Sequence, residues 1–78
     1  MNVSVEDIRN IPAGALRLFP CEDGSKVRSA RSLVSIIKNE TGMPEGVVDY
    51  ETKKFKLETG LVVGIRALRE GDSKFLKL

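Results

Sequence analysis

The chain has 78 residues, 41% hydrophobic and 31% charged, with a formal net charge of +2. That length holds one domain, 1–78, with a single modest core, and the ordinary globular composition excludes wholesale disorder. With no apolar run near 18 residues, a membrane-spanning helix is excluded, so no membrane partner is expected. One cysteine, Cys21, and no histidine exclude an internal disulfide and the usual nitrogen–sulfur zinc site.

The N-terminal stretch MNVSVEDIRN lacks a basic region followed by an apolar one, so no signal peptide is read there. With the single thiol, this sets a cytoplasmic expectation. Charge is unevenly distributed. Residues 1–24 carry two cations and four acids, residues 25–42 four cations and one acid, and residues 43–78 seven cations and six acids. The positive excess therefore lies in 25–42.

In chain order, 4–9 (SVEDIR) predicts one helical turn, with Ser4 as N-cap and Glu6 and Asp7 at the positive helix end. Pro12 stops it, and residues 12–14 read as a turn. ALRLFP, 15–20, alternates: Leu16 and Leu18 face one way, Arg17 and Phe19 the other. That is a strand, ended by Pro20.

CEDGS, 21–25, offers Asp23 or Ser25 as the N-cap of a helix running from about 25 to 41. Val27, Ala30, Leu33, Val34 and Ile37 form its apolar stripe. Gly42 fits a left-handed C-terminal position, Pro44 blocks continuation, and Met43 is expected to fold back near Ile37. The remainder reads as three strands, 47–51, 54–58 and 61–68, joined by turns at Thr52-Lys53 and Thr59-Gly60. Gly64 is read as a bulge or a close backbone approach. Phe75 and Leu76 either fray or dock on the core.

The predicted fold class is α+β. One amphipathic helix packs on a small, mostly antiparallel sheet in the order β-α-β-β-β, with the first strand beside one of the last three.

The exposed side of the helix carries the suggestive chemistry. Arg28, Arg31, Ser35 and Lys38 have spacings that align them on one surface, with Ser32 and Asn39 in the same arc. Arginine and lysine neutralise phosphates, arginine reads guanine bidentately, and serine is small enough for close approach. These six are the candidate nucleic-acid-binding residues. An amphipathic helix must also show some face to water, so the pattern is necessary rather than specific.

Lys53, Lys54 and Lys56 form a second basic group, with Lys54 and Lys56 on the solvent side of their strand opposite Phe55 and Leu57. Asp49, Glu51 and Glu58 are near enough to pair with these lysines. They are therefore read as guards against edge-to-edge association. Gly60 and Gly64 are not a phosphate-binding loop. Cys21, beside Glu22 and Asp23, has no histidine base and is read as a small, half-buried side chain. The adjacent carboxylates Glu6/Asp7 and Glu22/Asp23 do not face each other as an acid–base pair. No catalytic residues, metal ligands or cofactors are assigned, and no enzyme is expected.

Three stretches, IRNIPAGALRLFP, SARSLVSIIKNETG and the β-rich tail, together resemble short uncharacterised proteins of bacterial phages and mobile elements. In those, an IP-x-G turn leads into a strand, then a helix carrying x-AR-S, then a hairpin. The resemblance covers most of 8–68, with Ala30, Arg31 and Ser32 as the family-like helix residues. It implies an architecture and a mobile-element setting, with no activity attached.

The expectation is a nucleic-acid-binding accessory or regulatory domain, assisted by a homodimer or protein partner if it reads a specific site. The alternative is a protein–protein adaptor without nucleic acid. It would use an exposed strand edge or the Leu61–Leu68 segment.

Overall fold

The computed structural model describes residues 3–72. The expectation for Phe75 and Leu76 lies outside the described residues. The fold is α+β: one main helix covers one face of a three-stranded antiparallel sheet.

The chain opens with α1, Val5–Arg9. Ser4 is the N-cap the sequence predicts, and the structure shows the cap to be reciprocal. The Asp7 N–H donates to Ser4 Oγ (3.2 Å), and the Ser4 N–H donates to Asp7 Oδ2 (2.9 Å). Two amides left without partners at the helix start are satisfied this way. The turn brings Ile8 and Ile11, both essentially inaccessible to water, into the core.

Strand β1, Leu16–Cys21, runs one residue past Pro20, where the sequence had suggested its end. The reason is position. β1 is an edge strand paired only with β3, and an edge strand tolerates a residue without an N–H. The alternation holds, and it is the Phe19 side that joins the core: Cys21 is buried and Phe19 packs against the core cluster. Leu16 and Leu18 remain 37% and 46% exposed on the opposite face.

Helix α2, Gly24–Ile36, begins at Asp23. The Asp23 carboxylate accepts from the Ser25 hydroxyl (2.6 Å) and from the Ser25 and Lys26 amides (2.9 and 3.3 Å). Val27, Ala30, Val34 and Ile37 are buried and Leu33 packs partly against them, which is the predicted stripe.

The end differs from expectation. Residues Ile37–Thr41 form a π-helical turn, closed by the Gly42 N–H donating to the Ile37 carbonyl (2.8 Å). Gly42 has positive φ but extended ψ (92°, 150°). The left-handed cap is therefore replaced by a conformation open essentially to glycine alone. Met43 still packs back on the core.

The sheet order is β1-β3-β2. Strand β2, Asp49–Leu57, is continuous through Thr52-Lys53, so the two strands expected at 47–51 and 54–58 are one. Thr52 pairs with Ile65 and Lys53 with Gly64 in unbroken register. Thr-Lys supplies none of the positive-φ chemistry of a two-residue hairpin, whereas β-branched Thr52 suits a strand.

The remaining turn is Glu58-Thr59, one residue before the expected position, because Leu57 pairs with Gly60. Strand β3, Gly60–Leu68, is central. Its Val63, Ile65 and Ala67 are fully buried against the helices. Gly64 sits in regular pairing with Leu18 on one side and Lys53 on the other, so it is not a bulge.

Candidate nucleic-acid interface

Directly paired residues on antiparallel neighbours project to the same face of a sheet. Lys54 pairs with Val63 and Lys56 with Leu61, and Val63 belongs to the core beneath α2 while Leu61 packs against it. Lys54 and Lys56 therefore leave β2 on the helix-bearing face, not on the face away from the helix. Phe55 and Leu57 lie on the other face, and Leu57 is 51% exposed. The sequence alternation was right and its phase was inverted.

Two contacts fix which flank of α2 faces β2. Lys38 Nζ lies 2.6 Å from Asp49 Oδ1 at the start of β2. On the opposite flank, Lys26, Ser29, Ser32 and Leu33 line a cleft of about 440 Å³ with Pro20 and Cys21 of β1, so Ser32 lies away from the β2 flank. Arg31 precedes Lys38 by seven residues, close to two helical turns, and so lies on the β2 flank. Arg28 stands one turn earlier on the exposed side of that flank.

The helix starts at the Cys21 end of the sheet, next to the Leu61 pairing, and ends over Asp49 at the Leu68 end. This diagonal leaves the corner holding Lys54 and Lys56 uncovered, and both lysines are exposed. Arg28 and Arg31 from the helix and Lys54 and Lys56 from the strand therefore stand on one side of the molecule. None of the four forms an ion pair with a described residue.

Two of the three carboxylates expected to neutralise the strand lysines are turned elsewhere, while Glu58 stands exposed in the turn two residues after Lys56. Asp49 is held by Lys38 and by the Tyr50 amide (2.8 Å). Glu51 pairs in register with Arg66 and so projects to the opposite face. Lys53 also projects there, its ammonium 5.8 Å from the centre of the Phe55 ring.

The six candidate residues separate in the structure. Arg28, Arg31 and Ser32 are exposed. Lys38 is engaged by Asp49, and Asn39 Nδ2 donates to Ser35 Oγ (3.2 Å). Lys38, Ser35 and Asn39 thus hold the helix end to itself and to β2. Lys54 and Lys56 join the surface instead. The signal that places them is cross-strand register, which alternation alone does not give.

At the helix start, the Ser25 hydroxyl followed by the Lys26 and Ser25 amides holds the Asp23 carboxyl below the usual carboxylate range. Asp23 thus caps the first turn through Ser25 and Lys26.

The adaptor alternative also changes. Leu61–Leu68 is the central strand and pairs along both edges, so it has no free edge for another chain. Among the described residues, no helix is long and apolar enough to cross a membrane. No family model, curated protein or solved structure matches the chain.

Proposed function

We propose that this is a nucleic-acid-binding domain that contacts the phosphate backbone through Arg28, Arg31, Lys54 and Lys56. One observation carries the reading: four cations from two elements stand on one side, without an ion pair among the described residues. Asp49 is held by Lys38 and Glu51 projects to the opposite sheet face. A solvated surface usually mixes both signs of charge. A phosphate-binding one gathers cations from separate elements.

The role is that of an accessory or regulatory factor without catalysis. A cytoplasmic location and the phage or mobile-element setting implied by the resemblance of SARSLVSIIKNETG are part of the proposal.

The test is binding of a labelled mixed-sequence DNA between about 50 and 200 mM salt, by the parent protein and by two double variants. Arg28→Ala/Arg31→Ala and Lys54→Ala/Lys56→Ala should each remove about 1.8 from the salt slope of log K. Each should keep a folded circular dichroism spectrum, because all four side chains are exposed.

A second reading, a protein adaptor, is favoured by Leu16, Leu18 and Leu57, which share the sheet face opposite α2 and are 37–51% exposed. Association through that face would be insensitive to salt and to these four substitutions.

A further inference from the structure

We infer that the ligand of this surface is a duplex, gripped by its backbone, rather than a single strand; the inference rests on the reading above. Proteins that hold single strands supply aromatic platforms on which unpaired bases stack, beside a cationic groove. The described part of the chain has three aromatic residues, Phe19, Tyr50 and Phe55, and none of them is exposed. Tyr50 is 4% exposed within the core. Phe55 is on the opposite sheet face, beneath the Lys53 ammonium. Phe19 shares the helix-bearing face, two strands from Lys54 through Val63, and is packed against the core from β1. The basic side offers four exposed, flexible charges.

Those groups suit a ligand whose bases are stacked inward and whose phosphates are dense. Counterion release quantifies the preference. Four phosphate contacts give a slope of log K against log salt of about −3.6 on B-form DNA and about −2.8 on a single strand. At about 0.1 M salt that difference is roughly sixfold in favour of the duplex. Stacking platforms on a binding surface would reverse this order.

The test compares a labelled mixed-sequence DNA duplex with labelled oligothymidine of equal phosphate number, by fluorescence anisotropy, with the full chain and both double variants. The expected result is tighter binding to the duplex by about sixfold and the steeper slope, with each double variant losing most of the affinity. Equal or tighter binding of oligothymidine, abolished by the same substitutions, would overturn the duplex assignment and leave the phosphate-binding surface standing. Binding to neither probe at low salt would overturn the surface itself.

Discussion

Lys38 and Arg31 lie seven residues apart on one flank of α2, yet they are chemically different groups. Lys38 is tied to Asp49 at 2.6 Å, with side-chain exposures of 37% and 24%. A partly exposed pair of this kind contributes about 0.2–1 kcal/mol. Lys38→Ala should therefore lower stability by that amount and leave the salt slope of DNA binding unchanged. Arg31→Ala should leave stability unchanged and lower affinity roughly eightfold at about 0.1 M salt. Urea unfolding and anisotropy, run on both variants, check the crossing pattern.

Asp23 gives the pH prediction. Its folded pKa lies below its ordinary value because its ionised form accepts from Ser25 and Lys26. A depressed carboxylate contributes stability that is complete above its unfolded pKa and lost as pH falls through the folded one. Acid unfolding should therefore include an Asp23 component below the ordinary carboxylate range. Asp23→Asn, which can still cap, should flatten that limb in a pH series of melts. The cap was legible in the sequence because it is local. The fate of Lys38 was not, since its partner lies eleven residues away on another element.

The elements were legible where their signals are short-range. The α1 capping box and the α2 stripe follow from spacing alone. β2 was not, because Val47, Tyr50, Phe55 and Leu57 do not keep one phase. Tyr50 faces the core, while Phe55 and Leu57 face away from it. Register against β3 decides the phase, and register is a property of the sheet. That one inversion moves Lys54 and Lys56 to the helix-bearing face, which is what the proposed surface requires.

The end of α2 is a second case. Glycine there was predictable, whereas the π turn that precedes it was not. Gly42, at φ 92° and ψ 150°, has no heavy atom within 4 Å of where a β-carbon would sit. Gly42→Ala thus adds no clash, only backbone strain, and should cost about 1–3 kcal/mol by thermal or urea unfolding.

At the scale of the molecule, β3 organises the fold. It pairs on both sides, and its Val63, Ile65 and Ala67 carry α1 and α2. Ile65→Ala removes a fully buried side chain from the central strand and should cost about 2–5 kcal/mol. A chain of 78 residues has roughly 4–12 kcal/mol in all, so this variant should melt far below the parent or fail to fold.

The same architecture underlies the proposed site: α2 ends beside Asp49, and Lys54 and Lys56, further along β2 on the helix-bearing face, stay exposed. The most direct measurement is a titration of ¹⁵N-labelled protein with a mixed-sequence DNA duplex at low salt, read residue by residue. The predicted result is amide shifts in residues 28–32 and 54–56 that disappear at moderate salt. Shifts confined to Leu16, Leu18 and Leu57, or a folded spectrum that does not change, would contradict the account.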